Sequence, residues 1–79
     1  MSGPTQAQHR AMHALWREAG VVDRAARLAL TGAVVGRRLG SSTELTEAEA
    51  DQLIAYMRQL KDDGVLAERA AGFLGREAA

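Results

Sequence analysis

The stretch "LTEAEADQLIAYMRQL", residues 45–60, constrains the fold more than any other part of this chain. Thr46 followed three residues later by Glu49 is a capping box, in which hydroxyl and carboxylate each satisfy the other residue's backbone N–H. Leu45 stands at the staple position before the cap, and Glu47 and Glu49 complement the positive end of the helix dipole. Ala50, Leu53, Ile54, Met57 and Leu60 then recur at steps of three and four, which makes one apolar stripe. The pattern predicts a helix over 47–62 with a single buried face. Such a face has to be covered by other elements.

The remaining segments supply the cover. Ala11, Met12, Leu15, Trp16 and Ala19 form a second stripe, closed by Gly20, which predicts a helix over 6–19. Asp23 is an N-cap for a helix over 24–35, with Val22 before it as staple residue. In that helix Ala25, Leu28, Ala29 and Val35 make the packing face, widened by Ala26, Leu30 and Val34. Thr31 falls with Arg24, Arg27 and Arg38 on the polar side. Gly32 weakens the middle of this helix by about 1 kcal/mol relative to alanine, which points to close approach of another backbone. Gly36 suits a left-handed cap. After "KDDG" a short helix over 65–74 carries Leu66, Ala70, Phe73 and Leu74 inward. The fold class is therefore all-α, a compact bundle of about four short helices. Residues 1–5 read as a flexible tail, 6–75 as one helical domain, and 76–79 as a frayed end.

A chain of 79 residues buries only about 60% of the surface its unfolded form exposes, so its core is small. With no cysteine, neither a disulfide nor a thiolate metal site can brace it. Dimerisation is the route that remains. The longest nearly apolar run, "LALTGAVV", falls far short of the roughly 20 residues a bilayer requires, and the start "MSGPTQAQHR" lacks the features of a secretory leader. The expected location is the cytoplasm, with no membrane contact.

Catalytic chemistry finds little footing. His9 and His13 have the i, i+4 spacing of helical zinc ligands, but no third ligand or adjacent base accompanies them. "GRRLGSS" lacks the Lys-Ser/Thr ending and the preceding strand of a phosphate-binding loop, and reads as a flexible inter-helix turn. Ser41, Ser42 and Thr43 have no histidine near in sequence to act as base. The expectation is a protein without enzymatic activity, cofactor or metal.

Charge is more telling. Residues 1–40 hold six arginines against Glu18 and Asp23, and residues 41–79 hold eight acids against four bases, so a net charge of zero conceals two opposed halves. Either the halves attract each other on folding, or the first half presents a basic surface. Arg10, Arg17, Arg24, Arg27, Arg37 and Arg38 are its candidate nucleic-acid contacts, binding phosphate with little sequence selectivity. A helix-turn-helix reading through residues 47–62 is disfavoured, because Glu47, Glu49 and Asp51 repel phosphate at the end that would face DNA. Trp16 and Phe73 are candidate anchors for a protein partner, although a lone tryptophan on an apolar stripe is more often core.

In outline, "MHALWREAGVVDRAARLAL" followed by "VVGRRLGSSTELTEAEADQLIAYM" resembles the GemA-type regulatory proteins of Mu-like phages. It is also similar to helical segments in actinophage proteins that accompany recombination and replication genes. The resemblance runs from about Met12 to Leu60 and implies a phage accessory factor in DNA metabolism or host processes, without catalytic residues. Two functions follow as expectations. One is an interaction module for a host or phage protein, or for a second copy of itself. The other is weak, sequence-nonspecific nucleic-acid binding through the basic first half.

Overall fold

Side-chain caps at Thr5, Asp23 and Thr46 fix where the first three α-helices begin. In the computed structural model, which describes residues 3–78 with side chains through Gly75, α1 spans Gln6–Glu18, α2 Arg24–Val35, α3 Glu47–Asp62 and α4 Leu66–Ala78. A 3-10 turn, Ser42–Glu44, lies between α2 and α3. Among the described residues there is no strand, and no helix is long and apolar enough to cross a membrane. The four-helix, all-α bundle is thus the observed architecture.

The capping box at Thr46 and Glu49 forms as read: Thr46 Oγ1 accepts from the Glu49 N–H, and Glu49 Oε1 accepts from the Thr46 N–H, both at 3.0 Å. A second box opens α1, where Thr5 and Gln8 make the same reciprocal pair. Gln8 also donates to the Glu47 carbonyl and to Asp51 Oδ1, which ties the start of α1 to the start of α3. Of the tail expected over 1–5, Met1 and Ser2 lie outside the described residues. Thr5 is instead a cap, and Gly3 sits so close to the Thr43 carbonyl that an added Cβ would come within 2.9 Å of it. At the other end, the helix continues past the expected 74 to Ala78, and Ala79 lies outside the described residues.

α3 is the shared element of the bundle: α1 packs on it, and α2 and α4 pack on it and on each other. Its stripe goes fully inside, with Ala50 and Leu53 at 0% exposure, and Leu45 is buried beside them as the staple requires. Met12, Leu15 and Trp16 of α1, Leu30 of α2, and Leu66 and Ala70 of α4 complete the core with Val21 and Leu39 from the connections.

Two expectations about α2 are corrected. Val21, not Val22, packs into the core; Val22 is exposed, because the αL turn at Gly20 directs the first valine inward and the second outward. Thr31, assigned to the polar side, is completely buried, and its Oγ1 has no hydrogen-bond partner among the described residues. The buried face of α2 is centred on Leu30 and Thr31, while Ala25 is exposed and Leu28 and Ala29 are half-buried. α2 is apolar around most of its circumference, so its periodicity leaves the rotation open. Packing on both α3 and α4 decides it.

The segment expected to be a flexible turn is a pinned one. Gly36 takes the left-handed conformation, φ 84°, and the chain then turns back along α2 so that the Arg37 carbonyl lies against Gly32. Arg37 grips Glu49 with two N–H donors, at 2.9 and 2.8 Å, and donates to the Glu44 carbonyl at 2.7 Å. Arg24 donates to the Gly40 carbonyl, and Glu44 Oε2 accepts from the Gly40 N–H. Leu39 and Leu45 are buried on either side of the 3-10 turn.

The Arg37 fork, followed by the Thr46 N–H, holds Glu49 down to about 2, well below its ordinary 4.5. A carboxylate depressed in the folded state stabilises the fold fully above its unfolded value. That contribution disappears as pH falls from about 4.5 toward 2. Urea midpoints measured across that window should fall steeply for the native chain and less steeply for Glu49→Gln. Equal slopes would mean that the pair has no linkage to folding.

Candidate nucleic-acid interface

The six arginines singled out from the sequence separate into distinct environments. Arg37 is engaged internally and closes the turn before α3. Arg38 is exposed and borders a shallow groove of about 430 Å³ along α2, lined by Ala25, Leu28, Ala29, Gly32, Ala33 and Leu39. Arg10, Arg17 and His13 share one side of α1, because positions three and seven apart lie on one helical face. Arg24 and Arg27 stand one turn apart at the start of α2.

Arg17, Arg24 and Arg27 converge around Trp16 and His13. One cleft, of about 130 Å³, is bounded by His13, Trp16, Arg24, Arg27, Leu28 and the hydroxyl-bearing Ser41 and Ser42. A neighbouring cleft of about 110 Å³ is bounded by His13, Trp16, Arg17, Val21, Val22 and Arg27. His13, Trp16 and Arg27 are common to both. The Arg27 guanidinium lies over the Trp16 ring, 5.7 Å from its centroid, and the His13 ring meets Trp16 edge-on at 5.1 Å.

Trp16 itself is 2% exposed, so the expected partner anchor is part of the core and forms the floor of these clefts. Its Nε1 is buried and has no hydrogen-bond partner among the described residues. Phe73, the other expected anchor, is half-buried and meets Tyr56 edge-on at 6.3 Å across the joint between α3 and α4.

The electrostatics of the face are one-sided. Glu18 pairs with Lys61 at 3.0 Å and Asp23 caps α2, so both acids of the first half are engaged with partners other than the arginines. Among the described residues, Arg10, Arg17, Arg24 and Arg27 have no carboxylate within ion-pair reach. Attraction between the oppositely charged halves therefore accounts for Arg37 but not for these four. The His13 ring feels burial first and this excess second. Partial burial against Trp16, then the charges of Arg27, His9 and Arg17, hold its pKa below the ordinary 6.5. A histidine shifted in that direction is uncharged near neutral pH, ready to gain a proton when an anion arrives.

His9 and His13 belong to no cluster of three metal-ligating side chains among the described residues. Sequence reasoning missed the contribution of Ser41 and Ser42 to the cleft. Nothing in "GRRLGSS" alone reveals that the turn folds back beside the start of α2. No family model matches the chain, and neither a curated protein nor a solved structure matches it at a significant level.

Proposed function

We propose that this chain is a small, non-enzymatic accessory protein of the bacteriophage kind that acts in the cytoplasm, in DNA metabolism or host takeover. It works by holding nucleic acid, without sequence preference, on the basic face of α1 and α2. The observation that carries this reading is the convergence of Arg17, Arg24 and Arg27 around His13 with no carboxylate to neutralise them among the described residues. Cations gathered in this way repel one another. Phosphates relieve that repulsion and release their own counterions on binding.

Contact with the backbone rather than the bases is the mode that the rest of the surface favours. The start of α3 carries Glu47 and Asp51, whose charges oppose insertion into a groove of DNA, while Glu49 is paired with Arg37. Val22 is the one large apolar side chain exposed among the described residues, so no exposed aromatic platform offers itself for base stacking.

The test is an electrophoretic shift with single- and double-stranded DNA. Retardation should be clear at low salt and decline as salt rises. Arg24→Glu with Arg27→Glu should weaken binding at least tenfold while the helical circular dichroism spectrum is kept. No retardation at low salt would sink the reading.

A second reading, a module that binds a host or phage protein or a second copy of itself, draws support from the apolar groove along α2. Sedimentation at several concentrations separates the self-association form of it. Growth in mass with concentration favours a homodimer, and a fixed monomer leaves the groove to a different protein.

A further inference from the structure

We infer that the cleft between the starts of α2 and the 3-10 turn is a seat for a single phosphate group, with Arg24, Arg27, His13 and Ser42 as its ligands. This rests on the reading of the basic face as a polyanion surface, and it assigns the group that is gripped and the place where it sits.

The geometry supports a tetrahedral oxyanion. Arg24 and Arg27 reach the cleft from one side of α2, Ser42 from the turn and His13 from α1, so donors approach from three different elements. A tetrahedral anion has oxygens to meet all three directions, whereas a planar carboxylate is satisfied by one guanidinium fork. At about 130 Å³ the cleft has room for a phosphate and a few waters but is too narrow for a helix or a nucleobase pair.

The donors are both positioned and available. Arg24 is steadied through one Nη2–H bond to the Gly40 carbonyl at 3.2 Å, which leaves most of its five N–H donors for a ligand. The Arg27 guanidinium is held near the Trp16 ring, 5.7 Å from its centroid, and its N–H donors have no hydrogen-bond partner among the described residues. Ser41 is occupied with Thr43, but the Ser42 hydroxyl has no bond among the described residues. The floor adds a second, independent observation: Trp16, almost wholly buried, carries an indole N–H with no acceptor. An unsatisfied buried donor is costly unless something accepts from it. That donor lies beneath the floor of the cleft rather than on its surface, so a change in the cleft reaches it through the Trp16 ring.

Because Trp16 is the sole tryptophan, its emission reports on the floor of the seat. The experiment follows that emission and the NMR titration of the His13 ring at constant ionic strength. Inorganic phosphate, a short single-stranded oligonucleotide and a glutamate-rich peptide of matched charge are added separately.

Phosphate and oligonucleotide should both change Trp16 emission and raise the pKa of His13, with the peptide much weaker. Arg24→Gln should weaken the phosphate response at least fivefold, and Arg58→Gln, exposed on α3 and outside the basic face, should leave it unchanged. Should Arg24→Gln fail to fold, Ser42→Ala serves in its place, with at least a twofold loss expected.

A response to phosphate but not to the oligonucleotide keeps the seat, names a free phosphate or nucleotide as its source, and removes the nucleic-acid reading. DNA retardation without any change at Trp16 or His13 overturns the seat and leaves that reading standing. An equal response to the glutamate-rich peptide overturns the assignment of phosphate and makes an acidic protein segment the partner.

Discussion

Leu53→Ala should cost this domain about 2–5 kcal/mol, the range for removing a fully buried leucine whose site cannot collapse. Leu53 lies at the centre of α3, the helix on which the other three converge, and it is completely buried. The helices packed on α3 hold the site open, so little relaxation is available to reduce the loss. At roughly 0.05–0.15 kcal/mol per residue, the whole domain is stable by only about 4–12 kcal/mol. The substitution therefore removes a large share of it. In a domain of this size the melting temperature should drop by roughly 10–30 °C. Thermal melts followed by circular dichroism check it, with Val22→Ala as an exposed control expected to change little. A loss below about 1 kcal/mol at Leu53 would mean that α3 is not the organising helix.

Gly32→Ala is the second large effect, and there two principles oppose each other. Alanine is the better helix former by about 1 kcal/mol, so propensity alone predicts stabilisation. An alanine Cβ, however, would stand 2.6 Å from the Arg37 carbonyl oxygen, inside any tolerable contact. That oxygen belongs to backbone, and its residue is fastened by the bonds of Arg37 to Glu49 and Glu44, so it cannot retreat cheaply. Overpacking of this kind costs about 1–3 kcal/mol, and the net change should be a destabilisation of up to about 2 kcal/mol. The mechanism has its own signature. Displacing the turn loosens the Arg37 fork, so the carboxyl of Glu49 should titrate closer to its ordinary 4.5 than to about 2. A more stable Gly32→Ala protein with Glu49 unmoved would show that the close approach has no energetic weight.

Gly32 also illustrates how far the residues alone lead. A glycine in mid-helix signals close approach, and there is one. The approaching backbone is the chain's own turn, five residues on, rather than a neighbouring helix. Helix propensity and periodicity cannot distinguish the two, because both require only that Cβ be absent.

The candidate site divides in the same way. Arg17, Arg24 and Arg27 were legible as basic residues on two helices, and their convergence on Trp16 was not. That convergence depends on how α1 and α2 are set against α3, which no local pattern encodes. Arg37 belonged to the same group by composition, and only the contact with Glu49 removes it. Ser42 had no local mark at all, because the turn that carries it is positioned by Leu39 and Leu45, both buried.

By itself, then, the sequence determined the number of α-helices and, to within a residue, where each begins, but not the 3-10 turn at Ser42–Glu44. Those features rest on interactions three or four residues apart: the Thr46 and Asp23 caps, the stripe from Ala50 to Leu60, and the glycines at helix ends. Tertiary structure alone decided which way α2 is rotated, why Thr31 rather than Ala25 is inside, and which arginines remain uncompensated beside the tryptophan. Those outcomes depend on contacts between residues distant in the chain, where an almost uniformly apolar helix and a set of equivalent arginines have several acceptable arrangements. The packing of three helices on α3 selects one of them.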